Sequence, residues 1–202
     1  MDLLDAFGIP TIGVDDYEAD DVIATLSTSE RGPTFIVTGD RDLFQLVDDK
    51  RRVKVVYLAR GIANHDLVDE AWISQKYQIP GDRYALFAMI RGDASDGLPG
   101  IKGIGEKGAA TIANSFTNMS EVIEAAKKDH PELPAPLRKK ILADLDYAKI
   151  APTLVHCHRE VPMPDFSKDV PKAPADIQHI LDFKNNYNLG ASVDRMISAL
   201  GW

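Results

Sequence analysis

The chain is poor in the features that would explain it most simply. Cysteine is nearly absent: Cys157 stands alone among 202 residues, so no internal disulfide can form, and the usage suits a reducing cytoplasm. No apolar run approaches the ~20 residues that a membrane-crossing helix requires. Met1-Asp2-Leu3-Leu4-Asp5 is acidic where a secretory signal would be basic, so a secretory leader is not expected. Basic charge is in deficit, with 23 Lys and Arg against 31 Asp and Glu; the net charge of −8 argues at first sight against a polyanionic partner. Soft metal ligands are few, and neither an internal repeat nor a low-complexity tract is visible. What remains is a globular chain of 22.2 kDa, 45% apolar and 27% charged, large enough to bury a core.

What the chain does contain is acid in unusual places. Seven carboxylates fall in three tight groups: Glu18, Asp20 and Asp21; Asp40 and Asp42; Asp93 and Asp96. These seven account for most of the net negative charge, and divalent cations would neutralise them. Directly after the last group comes a glycine hairpin, Gly100-Ile101-Lys102-Gly103-Ile104-Gly105. Lys102, Lys107 and the run Arg138-Lys139-Lys140 share that half of the sequence, so a basic strip within an acidic protein is expected.

The first 92 residues alternate as an α/β protein does. Thr11-Ile12-Gly13-Val14 reads as a short strand, followed by Ala19, Val22, Ile23 and Leu26 at helical spacing. Thr34-Phe35-Ile36-Val37-Thr38 is nearly continuously apolar and β-branched, which predicts a strand buried on both faces. Leu43, Leu46 and Val47 mark a helical turn. Val53 to Leu58 reads as a third strand, and Ala71–Gln78 and Asp82–Ile90 as helices. This alternation predicts a parallel sheet with right-handed crossovers, a PIN-like or Rossmann-like core over residues 1–92.

From Asp93 the pattern turns helical, giving a second region over residues 93–202. Asn118 and Glu121 are spaced as a capping box before Val122-Ile123-Glu124-Ala125-Ala126. Lys139–Ala151 predicts another helix and Ser192–Leu200 a last one. Between them Pro162, Pro164, Pro171 and Pro174 predict an extended strap, since proline removes a donor and restricts its predecessor. Leu154-Val155-His156-Cys157-His158-Arg159 alternates like a strand, which makes its His-Cys-His cluster structural rather than a zinc site. His65, His130 and His179 stand apart and read as surface or capping residues.

In open parallel sheets ligands collect beyond the carboxyl ends of the strands, where Asp40 and Asp42 fall and where Glu18, Asp20 and Asp21 open a turn. A single acid there would be explained by the positive end of a helix, worth ~0.3 to 1 kcal/mol. Three within one turn repel one another unless a cation intervenes, and metal binding is the reading adopted for the set. The all-oxygen ligands suit Mg²⁺ or Mn²⁺ and disfavour zinc. The hairpin permits a tight turn that presents backbone N–H groups, and a helix starting near Glu106 adds its positive end: a cradle for phosphate.

Tyr17-Glu18-Ala19-Asp20-Asp21, Thr38-Gly39-Asp40-Arg41-Asp42-Leu43, and Gly92-Asp93-Ala94-Ser95-Asp96 through Gly105-Glu106-Lys107 resemble, in order, the motifs of the bacterial 5′ nucleases. This family comprises flap endonucleases and the 5′–3′ exonuclease domain of DNA polymerase I. The resemblance implies a structure-specific nuclease acting on 5′ flaps, nicks and gaps in DNA, in replication and repair. Glu18, Asp20, Asp21, Asp40, Asp42, Asp93 and Asp96 then hold two or more Mg²⁺ or Mn²⁺ ions, with Asp21, Asp40 and Asp42 closest to catalysis. A helix-hairpin-helix built on Gly100, Lys102, Gly103, Ile104, Gly105 and Lys107 binds the DNA backbone, with K⁺ at the hairpin. The expected location is the bacterial cytoplasm, at the nucleoid, and nothing calls for an obligate oligomer.

The resemblance also implies a long upstream segment, with a first strand ending in aspartate and a helical arch, that does not precede Met1. The expectation is therefore a fragment or a misplaced start rather than a natural short form, with weak or no activity for this chain alone. Two rival readings remain: a DNA-binding module without catalysis, and a metal-dependent ribonuclease or phosphohydrolase on a similar sheet.

Overall fold

A computed structural model describes residues 3–202; Met1 and Asp2 lie outside the described residues. The chain divides into two compact units: Ile23–Glu160, and the described part of Met1–Val22 together with Val161–Trp202.

Ile23–Glu160 is built on a three-stranded sheet. Strands β1 (Thr34–Thr38) and β2 (Val53–Tyr57) run parallel, with Thr34 opposite Val53 and Thr38 opposite Tyr57. A short β3 (Asp66–Val68), not foreseen in the sequence, pairs antiparallel with β2. The sheet is therefore mixed rather than parallel throughout. β1 is buried on one face only: Ile36 is covered, whereas Phe35 and Val37 are 58% and 60% exposed. Continuous hydrophobicity tells that a strand can be covered twice; it does not supply the second layer.

The strand expected at Thr11–Val14 is absent, and that segment is irregular. Four residues gain no ladder partner there among the described residues, and without one the backbone polar groups have no reason to extend together. Leu154–Arg159 is not a strand either. Helix α8 (Leu145–Val155) carries Leu154 and Val155, and Ala148, Ala151 and Val155 are buried at helical spacing. The short alternating run was a helix end read at the wrong period.

Other elements follow the apolar periodicity closely. Helix α1 is Leu3–Phe7, α2 Ala19–Ser29, α3 Glu70–Tyr77 and α4 Tyr84–Arg91; Asp42–Leu46 forms a 3-10 turn after β1. Next come α5 (Glu106–Ser115), α6 (Met119–Lys127) and α7 (Ala135–Ala143). The helix predicted over 139–151 is broken at Asp144, which separates α7 from α8.

The core of this unit is aromatic where it meets the sheet. Phe44 is fully buried, and its ring meets Tyr57, Trp72 and Tyr84 edge-on at 5.0, 5.5 and 5.2 Å. Such pairs add ~0.5 to 1.5 kcal/mol each beyond the area they bury. Because Phe44 sits in the 3-10 turn, its burial anchors the backbone that carries Asp42.

The other unit has a smaller centre of Ala6, Phe7, Ile180 and Val193, with Phe7 stacked on Trp202 at 5.8 Å. It contains α9 (Ile177–Asn186), which the sequence reading missed, and α10 (Ala191–Ala199). Asp176 caps α9 by accepting from the His179 N–H, and its own N–H donates to the Ala6 carbonyl at 3.0 Å. The proline-rich stretch before α9 carries no helix or strand.

Candidate metal centre

Two chain reversals bring acids together in Ile23–Glu160. At the carboxyl end of β1, the Asp40 N–H donates to Thr38 Oγ1 at 2.9 Å, and Asp40 Oδ1 then accepts from the Asp42 N–H at 2.8 Å. These local bonds turn the chain and place Asp42 at the head of the buried 3-10 turn. The second reversal follows α4. Gly92 and Gly100 pack backbone to backbone: a Cβ on Gly92 would lie 2.6 Å from Gly100 N, and one on Gly100 would lie 2.6 Å from the Arg91 carbonyl carbon. Both also have positive φ, so no other residue fits either place without strain.

Between these glycines Asp93 and Leu98 exchange two backbone hydrogen bonds of 2.9 Å, and Asp93 accepts from the Ser95 N–H at 3.1 Å. As a result Asp42, Asp93 and Asp96 each offer a carboxylate oxygen within 4.8 Å of the others. Asp40 borders an adjoining cleft of about 250 Å³ together with Asp96, Ser95, Arg41 and Tyr57.

Asp93 is the buried member, 6% exposed, and it is clamped. Arg41 Nε lies 2.8 Å from Asp93 Oδ2, and Arg91 Nη2 lies 3.3 Å from the same oxygen. Burial opposes ionisation of Asp93, but the Ser95 hydrogen bonds, followed by the two guanidinium groups, outweigh it and hold the carboxyl below the usual carboxylate range. An ionised, oriented carboxylate beside two others is a hard, all-oxygen donor set of the kind that suits Mg²⁺ or Mn²⁺. The three residues fit such an ion.

The first acidic group is placed differently. Glu18, Asp20 and Asp21 open α2 within the other compact unit, where Asp21 Oδ2 accepts from the Glu18 N–H at 3.2 Å. That is the geometry of a helix start.

The hairpin joins α4 to α5 as expected, and Ile101 and Ile104 are both buried. Several of its N–H groups are already engaged: Ile101 donates to Ile90, Ile104 to Ile101, and Lys102 to Asp144 Oδ2 at 2.8 Å. Among the described residues, the N–H groups of Gly103, Gly105 and the first turn of α5, where Lys107 also lies, are those that could face an anion. The basic run Arg138-Lys139-Lys140 is not one strip. Arg138 pairs with Asp129 at 2.9 Å, and Lys140 Nζ donates to the Gly103 carbonyl at 2.5 Å. At the histidine-cysteine cluster the Cys157 backbone N–H donates to Gln45 Oε1 at 3.2 Å.

Arg41, Arg91 and Ser95 are the neighbours of the acids to which the motifs alone assign no role. Arg41 and Ser95 lie inside the acidic motifs and Arg91 directly before one. Their partners, however, are set by the fold: Arg41 and Asp93 are 52 residues apart.

Comparison with known proteins adds an independent line. A family model described as "5′-3′ exonuclease, N-terminal resolvase-like domain" matches residues 1–78, and "5′-3′ exonuclease, C-terminal SAM fold" matches residues 79–178. A 5′-3′ exonuclease of Streptomyces coelicolor is 42% identical over 198 residues, covering 98% of this chain and 66% of its own. One from Mycobacterium tuberculosis is 38% identical over 208 residues, covering 99% and 65%. The chain thus spans just under two thirds of the length of these relatives. The thermostable DNA polymerase I of Thermus aquaticus is 34% identical over 171 residues, covering 83% of this chain and 19% of the polymerase. Among solved structures, T5 5′-exonuclease with bound divalent metal ions (zinc) aligns with a TM-score of 0.59 and 21% identity, covering 75% of this chain and 56% of its own. The catalytic core of Rad2 in complex with a DNA substrate aligns at 0.61 and 20%, covering 98% and 65%. At these identities the structural likeness speaks for the fold.

Proposed function

The chain belongs to the 5′-3′ exonuclease family, and we propose that it is a metal-dependent 5′–3′ exonuclease and flap endonuclease. It hydrolyses DNA phosphodiesters at 5′ flaps, nicks and gaps, in replication and repair in the bacterial cytoplasm. The observation that carries this reading is the convergence of Asp42, Asp93 and Asp96 within 4.8 Å at the root of the glycine hairpin.

In this reading Asp42, Asp93 and Asp96 hold a Mg²⁺ or Mn²⁺ ion, with Asp40 at the adjoining cleft. Glu18, Asp20 and Asp21, at the start of α2, are metal ligands in their own right. When bound, divalent ions supply a water that ionises near neutral pH and offset the charge on the phosphodiester. Arg41, Arg91 and Ser95 keep Asp93 ionised and oriented, so the ligand is ready before metal arrives. The N–H groups of Gly103, Gly105 and the first turn of α5, with Lys102 and Lys107, grip the duplex backbone. The same reading has a K⁺ ion at the hairpin. Residues 1–92 thus carry most of the metal ligands, and residues 93–202 the DNA grip.

The test is cleavage of a 5′-labelled flap duplex with Mg²⁺ or Mn²⁺, by this chain and by its Asp96→Ala variant. Weak but metal-dependent release of short 5′ products by the parent, and none by the variant, is expected. Equal products from both, or cleavage that persists in chelator, would overturn the proposal.

A further inference from the structure

Beside the metal centre lies a second cleft, of about 640 Å³, lined by Arg41, Tyr57, Arg60, Trp72, Lys76 and Tyr77, together with Asp66. Its volume falls in the range that holds one small organic ligand. Its charge is opposite to that of the molecule as a whole: three cations face a single acid in a protein of net charge −8. That acid, Asp66, is already held by Arg60 through contacts of 2.9 and 3.0 Å. An acidic or phosphorylated ligand therefore meets no uncompensated negative group on these walls.

The apolar part of the cleft is equally particular. The Trp72 ring is fixed by edge contacts with Phe44 at 5.5 Å and Tyr77 at 6.1 Å, and Lys76 Nζ lies 5.8 Å from its centroid. A half-buried indole with the Lys76 ammonium 5.8 Å from its centroid, in a wall that also carries Arg60, offers a stacking surface for a flat ring and donors for an anion. Arg41 and Tyr57 also line the smaller cleft that holds Asp40 and Asp96, so the two clefts share a wall. Arg41 also contacts Asp93, at 2.8 Å.

We propose that this aromatic and cationic cleft binds one unpaired nucleotide, with the base against Trp72 and the phosphate toward Arg60 and Lys76. The inference rests on the nuclease reading for its biological setting, because either the substrate strand or the released mononucleotide supplies that chemistry. Binding itself needs no divalent ion, so it is separable from cleavage. An acidic peptide would use the cations but has no need of the fixed indole.

The test is calorimetric titration of the full chain in chelator with deoxyadenosine 5′-monophosphate, deoxyadenosine and inorganic phosphate. The nucleotide is expected to bind, and each half alone to bind about tenfold more weakly or worse. Arg60→Ala and Lys76→Ala, both at exposed positions, are expected to weaken nucleotide binding about fivefold to tenfold with an unchanged circular dichroism spectrum. Trp72→Phe is expected to retain it. No nucleotide binding, equal affinity for phosphate alone, or indifference to both charge removals would overturn the proposal. A parallel arm compares a nicked duplex with the same duplex bearing a one-nucleotide flap. Loss of flap preference in the variants assigns the cleft to a substrate nucleotide, whereas loss of mononucleotide binding alone assigns it to the product. Nucleotide binding without metal-dependent cleavage would sink the nuclease reading and spare the cleft, and cleavage without nucleotide binding would do the reverse.

Discussion

Two groups of carboxylates that look alike in sequence are treated very differently by the fold. Asp93 is buried, carries two guanidinium partners and a serine, and stands with Asp42 and Asp96 at the meeting of two tight reversals. Glu18 and Asp21 are bonded to each other across the first turn of an amphipathic helix, as at ordinary helix starts. Clustering of acids is therefore one signal with two physical meanings. In the first group burial and counter-charges fix the geometry of the carboxylates; in the second, a local hydrogen bond sets it at the start of a helix.

The contrast breaks most decisively at Asp42. Replacing it by alanine removes one of three converging oxygens from a preorganised set, and metal-dependent cleavage should fall about 10³-fold. Phe44 still anchors the 3-10 turn, so the thermal midpoint should barely move. A steady-state flap assay paired with calorimetry measures both. A fall in activity that merely tracks unfolding would mean Asp42 is a structural residue.

Next in size is Gly100→Ala, which leaves every acid in place and attacks the frame instead. The new Cβ would meet the backbone of Arg91 at 2.6 Å with φ at +66°. The expected cost is about 2 to 3 kcal/mol in urea unfolding, with metal affinity falling alongside because Asp93 follows Gly92 directly. Unchanged stability would show that the two glycines are not what holds the centre.

Asp21→Ala sharpens the comparison from the other side. If the α2 group also serves the metals, activity should fall about 10- to 100-fold while stability changes by no more than about 1 kcal/mol, the value of a helix-start interaction. Equal, small losses in both would reduce the group to capping. Asp69 supplies the standard for pure capping: it accepts from the Trp72 N–H at 2.9 Å at the start of α3 and pairs with Lys54 at 3.0 Å. The Trp72 hydrogen bond and then Lys54 hold its carboxyl below the usual range. Because the folded value is depressed, the stabilisation is complete above the unfolded value near pH 4 and disappears as the pH falls through the folded one. Asp69→Ala should therefore cost about 1 kcal/mol at pH 7, should flatten the acid limb of the stability curve, and should leave cleavage intact.

Whatever is governed by neighbours in sequence could be read before folding. Asn118 and Glu121 form their predicted cap down to the 2.9 Å bond between the Glu121 N–H and the Asn118 side chain, although the Glu121 carboxylate reaches Thr117 N rather than Asn118 N. Asp93, Asp96 and the hairpin were legible for the same reason: turn chemistry and glycine demand are local. The Arg41 clamp on Asp93 was not, because 52 residues separate the pair and the packing of α4 against the 3-10 turn after Arg41 sets their meeting. The false strand at Leu154–Arg159 failed through brevity, since a few alternating residues fit the end of α8 equally well.

The smallest expected effect concerns the cation that answers the acids. Lys140 Nζ bonds the Gly103 carbonyl, so part of the basic run is spent on holding the hairpin, whereas Lys107 stands exposed on the first turn of α5. Removing Lys107 should weaken binding to all duplexes alike and lower the dependence of log affinity on log salt by about one counterion. Removing Lys140 should leave that slope nearly unchanged, because an ammonium engaged with a carbonyl releases few ions from DNA, and should loosen the hairpin by about 1 kcal/mol. Salt titrations of nicked-duplex binding by the two alanine variants separate these roles. Identical slopes would place Lys140 on the DNA rather than on the turn, and the cationic side would then share the double meaning of the acids.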